Sequence, residues 1–442
     1  MNSMQRRRIL LAGIAMMTAV GLAGCATGGA GGESAELSDE PVTISLNWWG
    51  GDARTQATKE AVALFEAAYP NVTVETSFSD WNGYWDRLAT STAANDMPDV
   101  NQFDQLYLAS YADRGTLLDL SEVGAQLDTS VIDESILQSG VVDDTQYALP
   151  ISGTPNGVLI NKTLLEKYGI PIPDFDIWTW DDLTEIAQTV SDESGGAEWG
   201  INPLALGIDS FAVNVWARQH GEDFYDKEGD LVVSPETIAS AWEQGLSWID
   251  SGAAPTADHI AENTANTLDQ TDFALGRVAM IFAGVSQLAS YQAAAPTQEL
   301  IVGNWPTDSE TVEGFQYFKP VQYWTVSSRS EHPAEAAALI SFLTSDPEVA
   351  KLFGTDRGVP ANPTARDTIE SSLDPAGMLT LEFTTAMAEQ VKNPPAITPN
   401  GASTVDATLA RYYQQVLFGQ VEPVDAAEQF IKEIQASIDA AK

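Results

Sequence analysis

The sequence predicts an α/β fold, and three observations carry that reading. Short runs of alternating apolar residues are separated by runs with helical apolar spacing, in the order β-α-β-α-β, near the start of the chain. Pro and Gly punctuate the passages between them. The 442 residues are 44% hydrophobic, enough for a large core, and at about 150 residues per domain they suggest two or three domains.

Val42, Ile44 and Leu46 alternate and run into Trp48 and Trp49, a strand ending in aromatic residues. Ala61, Leu64, Phe65 and Ala68 follow at helical spacing and stop at Pro70; Val72, Val74, Thr76 and Phe78 form a second strand. A helical stretch covers 84–94, and Pro98-Asp99-Val100 opens a third extended segment. This order predicts a mostly parallel sheet covered by helices. Ligands bind beyond the carboxyl ends of such strands, here near Trp48–Arg54, Asp80–Tyr84 and Phe103–Tyr107. Further on, residues 147–162 read as an extended crossing segment, and Thr179 to Asp182 as a capping box opening the helix 181–190. Residues 226–230 form a turn, 276–284 an apolar strand, 333–343 a helix, and 404–417 and 424–440 two closing helices. No repeat of solenoid or propeller length is present.

Acidic residues outnumber basic ones 63 to 21, a formal charge of −42. Such a surface repels phosphate backbones and anionic lipid headgroups, which excludes nucleic acid as a partner and polybasic membrane docking. The single cysteine rules out an internal disulfide and a cysteine-based zinc cluster, and nothing calls for a metal or cofactor. That cysteine follows an address segment. Arg6, Arg7 and Arg8 precede the apolar run Ile9–Leu22, which is shorter than the roughly 20 residues a membrane span needs. Leu22-Ala23-Gly24-Cys25 looks like a bacterial lipobox, with residues 1–24 removed and Cys25 lipidated; an ordinary signal peptide is the alternative, and Sec or Tat export stays open. Residues 25–40 are then a Gly-rich, acidic tether holding a soluble body at the outer face of a membrane.

Several segments, taken in order, resemble the extracellular solute-binding proteins of carbohydrate ABC importers, the group typified by maltose-binding protein. They are NWWGGDARTQATKEAVALFEAAYPNVTVE, DRLATSTAANDMPDVNQFD, GTLLDLSE, YALPISGTPNGVLINKTLLEKYGI, TWDDL, FALGRVAMIFAG, SEHPAEAAALISFLTS and GVPANP. The resemblance implies a two-lobed periplasmic-binding-protein (type II) fold with discontinuous lobes joined by hinge strands. The crossings fall near Pro150–Asn156, Phe318–Gln322 and Asn393–Pro399, so one lobe comprises 41–150 plus 322–392 and the other 152–318 plus 396–442. It also implies a monomer that encloses an oligosaccharide between the lobes and docks on the transmembrane subunits of an ABC importer. The WWGG-D-x-R opening is reminiscent of oligosaccharide binders, some of which take uronates. One departure is VSQLAS after GRVAMIFAG, where many relatives carry an aromatic residue.

A pyranose needs Trp or Tyr plates flanked by Asp, Asn, Gln and Arg. Trp48 and Trp49 face opposite ways, with Trp49 toward the cleft; Asp52 and Arg54 follow, Asp52 being equally suited to cap the next helix. Trp81 with Tyr84, and Asp104 with Phe103 and Gln105, occupy the next two strand ends. Asn156 lies in the first crossing, Phe211 and Trp216 on a helix of the second lobe, Ser286 and Gln287 in the turn lacking the aromatic, and Trp324 beside Tyr323 after the second crossing. Arg357 is a weaker candidate. Trp178, Trp180, Trp242 and Trp248 read as packing residues, and His220, His259 and His332 as surface or turn residues. Three rivals remain open on these residues: a secreted glycoside hydrolase or lyase, which needs two carboxylates about 5–10 Å apart; a glycan adhesin; and the same fold with a ligand such as glycerol phosphate. No P-loop, H-E-x-x-H or convincing G-x-S-x-G motif is present.

Overall fold

The computed structural model describes residues 36–264, 266–391 and 394–442. The leader, Cys25 and the start of the tether lie outside the described residues. In chain order the strands are β1 (Val42–Trp49), β2 (Val72–Ser79), β3 (Val100–Phe103), β4 (Val141–Val142), β5 (Thr145–Gln146), β6 (Ala148–Thr154), β7 (Asn156–Asn161), β8 (Trp199–Asn202), β9 (Val278–Gly284), β10 (Leu300–Gly303), β11 (Lys319–Val326) and β12 (Val359–Pro360). They build a six-stranded sheet in the order β12-β6-β11-β3-β1-β2, a four-stranded sheet in the order β10-β7-β9-β8, and the small hairpin β4-β5.

The alternation in β1 has the expected consequence. Val42, Ile44, Leu46 and Trp48 enter one core with Phe65 and Leu339, while Trp49 lies on the opposite face in a separate aromatic cluster. β2 and β3 run parallel to β1, but β11, β6 and β12 are antiparallel to their neighbours. The sheet is therefore mixed, which corrects the expectation of a mostly parallel one. Alternation marks a strand and a buried face but has no direction, so strands arriving from the crossings could not be oriented from it.

The first crossing is sharp: β6 belongs to the six-stranded sheet and β7 to the four-stranded one, with only Pro155 between them. β11 returns beside it, pairing Lys319 with Thr154 and Pro320 with Gly153, and its register shifts around Gln322. Pro320 cannot donate to a ladder, and bulged pairing is where a sheet tolerates proline.

The second sheet packs Val158, Ile160, Met280 and Phe282 against Leu183, Ala187 and Val190 of the helix Trp180–Glu193. Its capping box forms as read: the Thr179 hydroxyl accepts from the Asp182 N–H at 3.1 Å, and the Asp182 carboxylate accepts from the Thr179 N–H at 2.8 Å. The helix lies so close to β8 that a Cβ on Gly200 would stand 2.0 Å from the Ala187 Cα. The closing helices, Val405–Leu417 and Pro423–Ala441, join Val213, Ile238 and Trp242 in a further core. The helix Pro375–Ala388 falls in the range expected with the first sheet. Yet Ala376 packs with Leu159 and Tyr291 of the second sheet's surroundings, while Met387 joins the first core. His259 is also more than a turn residue, since its ring nitrogen meets the buried Asp272 carboxylate at 2.7 Å. Among the described residues no helix is long and apolar enough to cross a membrane, and no group of His, Cys, Asp and Glu could hold a metal ion.

Candidate functional site

The parallel strands β1, β2 and β3 deliver an aromatic group to their carboxyl ends. Trp49 closes β1; Asp80 follows β2 and caps the helix Trp81–Ala93 by accepting from the Gly83 N–H at 3.0 Å; Asp104 follows β3 and caps the helix Gln105–Asp113 by accepting from the Leu106 N–H at 2.9 Å. The caps satisfy backbone donors that each helix start would otherwise leave open. They also set the rings. Trp49 meets Trp81 edge-on at 5.0 Å and Tyr84 at 5.1 Å, and Trp85 stacks on Tyr107 at 3.9 Å between centroids.

The inner rings, Trp49, Tyr84, Trp85 and Phe103, are buried. Tyr84 is further locked by donating its hydroxyl to the Gln102 carbonyl at 2.5 Å. Trp81 is 37% exposed and Tyr107 half-buried, their centroids 6.2 Å apart. The arrangement is a rigid aromatic wall with two outer rings reachable from solvent, suited to the C–H face of a sugar.

Facing the start of the helix after β3 is the helix Ser210–Gln219, capped by Asp209, whose carboxylate accepts from the Phe211 N–H at 2.9 Å. The Phe211 ring contacts Tyr317 edge-on at 5.1 Å, and the Lys319 ammonium lies 5.6 Å from its centroid. Gln105, Leu106, Phe211, Asn214, Tyr317 and Lys319 help line a cavity of ≈ 30 Å³. Asp406 joins this region by accepting from the Ser210 N–H at 2.9 Å.

Electrostatics ties these groups together. Burial raises the Asp104 and Asp209 carboxyls above the ordinary carboxylate range, and Lys319 opposes the rise in both. Burial alone would lower the Lys319 pKa, but Asp209, Asp406 and Asp104 together hold it above its usual value. Lys319 thus sits in the field of three acidic side chains that favour its charged form.

The anticipated site residues separate into groups. Trp49, Trp81 and Asp104 come together at the strand ends, while Phe211 and Asp104 border the Lys319 cluster. Asp52 is exposed and is not the cap, because Gly51 occupies that position. Arg54 is committed to Asp356, with Nε donating at 2.7 Å and Nη2 donating to the Asp356 carbonyl at 2.9 Å; Nη1 also reaches the Trp49 carbonyl at 3.4 Å. Asn156 is fully buried. Its Oδ1 accepts from the Trp305 indole at 3.0 Å, its carbonyl accepts from Gln316 at 3.0 Å, and its Nδ2 finds no partner among the described residues. Ser286 donates its backbone N–H to Thr154 at 3.1 Å, and Gln287 is exposed.

Two expectations are corrected. Trp216 is a core residue, with its indole donating to Ser240 at 2.9 Å and its ring against Trp180. Trp324 has no exposed surface and packs in the first sheet's core, 5.8 Å from the Arg357 guanidinium. Arg357 is likewise buried; desolvation, and then Arg54, lower its pKa to about 9, and Nη2 donates to Thr58 at 2.8 Å. Tyr107, Lys319, Asp209 and Asp406 were not singled out beforehand. Tyr107 sat within a strand-end neighbourhood already marked, and Lys319 within the second crossing.

This architecture, two α/β sheets exchanged through short crossings with a ring-lined wall at the strand ends, is that of a binding protein. Residues 60–380 match the model of the bacterial extracellular solute-binding proteins, and the chain belongs to that family. It is 28% identical over 352 residues to a Streptomyces antibioticus protein described as an uncharacterized lipoprotein in the oleD 5′ region, covering 76% of this chain and 72% of that one. The diacetylchitobiose binding protein DasA of Streptomyces coelicolor is 30% identical over 173 residues, or 38% of this chain and 39% of that one. An extracellular solute-binding protein family 1 structure from Alicyclobacillus acidocaldarius aligns with a TM-score of 0.73 at 25% identity, covering 90% of this chain and 99% of that one.

Proposed function

We propose that the protein binds an extracellular oligosaccharide between its two sheets and delivers it unaltered to the transmembrane subunits of an ABC importer. The observation that carries this reading is the pair of reachable rings, Trp81 and Tyr107, fixed on buried aromatic neighbours at the strand ends. Family membership and the likeness to DasA, a diacetylchitobiose binding protein, support it. A ligand pocket measures about 300–1,000 Å³, whereas the cavity beside Lys319 holds ≈ 30 Å³, space for one or two waters. Admission of a sugar therefore requires the elements from the two sheets to part, and contacts made on both sides favour their return. The proposed lobes follow the sheets, with the crossings at Pro155 and Pro320 as hinges.

Thermal-shift screening against an oligosaccharide panel tests the reading. A ligand at 100 times its dissociation constant adds about 2.7 kcal/mol of stability, and a panel without any shift would falsify carbohydrate binding.

We further propose that the protein acts as a monomer anchored through a lipid on Cys25. With Cys25→Ser the protein is expected to leave the membrane fraction. Retention there after a high-salt wash would refute the lipid anchor.

A further inference from the structure

We propose that a monovalent anion of halide size binds beside the buried guanidinium of Arg357. The site is separate from the sugar-binding reading above. Ile151, Leu343 and Phe353, which line its cavity with Arg357, belong to the first core, whereas the aromatic wall with Trp49 lies on the other face of the six-stranded sheet.

Arg357 sits in the turn between the helix Pro347–Phe353 and β12. The Ser152 hydroxyl of β6 donates to its carbonyl, and a Cβ on Gly358, whose φ is +87°, would stand 2.8 Å from that hydroxyl oxygen, so the turn closes tightly on the sheet. The side chain is carried under the helix Asp52–Ala68, where Nη2 donates to the Thr58 hydroxyl at 2.8 Å. Arg357 is only 2% exposed, and its Nε and Nη1 have no hydrogen-bond partner among the described residues. A buried polar group left open in this way calls for an occupant, a water or an ion.

Charge decides between the two. A desolvated cation needs an opposite charge as well as hydrogen bonds. Among the described residues the carboxylate in ion-pair range is that of Asp356, 3.8 Å from Nη1, and it already accepts from Arg54 Nε at 2.7 Å. Two guanidiniums thus share one carboxylate that is itself partly exposed, which leaves an excess of one positive charge. The rings of Phe353 and Trp324, 4.4 and 5.8 Å from the guanidinium, balance part of that charge and leave Nε and Nη1 without an acceptor. The adjoining cavity of ≈ 30 Å³ has room for one or two waters or a single halide ion. Water would complete the hydrogen bonds and leave the charge; a halide meets both needs. The small volume and the apolar lining exclude sulfate or a sugar acid. Gly354 and Pro360, which also line the cavity, are half-buried, so it borders the surface.

The experiment follows thermal unfolding of the full mature chain at constant ionic strength while sodium gluconate is replaced by chloride or bromide. A saturable rise in melting temperature is expected, about 3 °C at 100 times the dissociation constant of the ion. In Arg357→Met the rise is expected to vanish; apolar replacement of a buried charge is commonly tolerated by a fold. A rise of equal size in that variant places the ion elsewhere and overturns the proposal. Crystals of the unaltered chain grown with sodium bromide give a reading that needs no variant. An anomalous peak within hydrogen-bond reach of Nε or Nη1 supports the site, and a water there, or no peak, overturns it. A peak without any thermal response marks an adventitious ion only and overturns it as well.

Discussion

Replacing Trp324 by alanine is expected to cost about 3–5 kcal/mol of folding stability, the range for removing a large buried ring from a packed core. The ring has no exposed surface, shares the first core with Leu46, Ile340 and Phe318, and covers one side of the buried Arg357. Truncation removes apolar contacts and leaves a cavity beside a guanidinium whose Nε and Nη1 already have no hydrogen-bond partner among the described residues. Urea unfolding followed by circular dichroism reads the effect. An unchanged midpoint accompanied by lost sugar binding would place the ring in the site instead of the core.

Trp81→Ala is the complementary case. The ring is 37% exposed and meets the wall in T-shaped contacts, at 5.0 Å from Trp49 and 5.6 Å from Trp85. Its loss is expected to leave the urea midpoint nearly unchanged, because Trp81 is the first residue of its helix and the cap comes from Asp80. Sugar affinity should fall by about 2 kcal/mol, roughly 30-fold, as for an aromatic anchor at the centre of a binding surface. Calorimetry on the wild type and variant measures it, and equal affinities would remove Trp81 from the site.

These two tryptophans show what was and was not legible in the chain. Both follow or occupy strands, and both belong to aromatic-rich stretches. At Trp81 the strand ends and a helix begins, so the side chain leaves the sheet at a carboxyl end, where ligand contacts are expected. Trp324 instead sits inside β11, which lies between β6 and β3 in the middle of the sheet. Both faces of such a strand are covered: Tyr323 is buried in the aromatic cluster and Trp324 in the core, and alternation cannot tell a buried face from a binding face.

The crossing at Pro155 falls within the extended segment 147–162, in the range Pro150–Asn156 that the family resemblance implies, and the capping box at Thr179 was legible because Thr-x-x-Asp acts locally. The pairing of Arg54 with Asp356 and the gathering of Asp104, Asp209 and Asp406 around Lys319 were not. These partners lie far apart in the chain and are brought together only by the exchange of strands between sheets.

The central claim is that one oligosaccharide is held per chain and returned unchanged. Calorimetric titration with a sugar that raises the melting temperature, followed by mass spectrometry of the recovered ligand, tests it most directly. The account predicts one site per chain and a ligand of its original mass. Shortened or unsaturated products, or the absence of saturable heat, would contradict it.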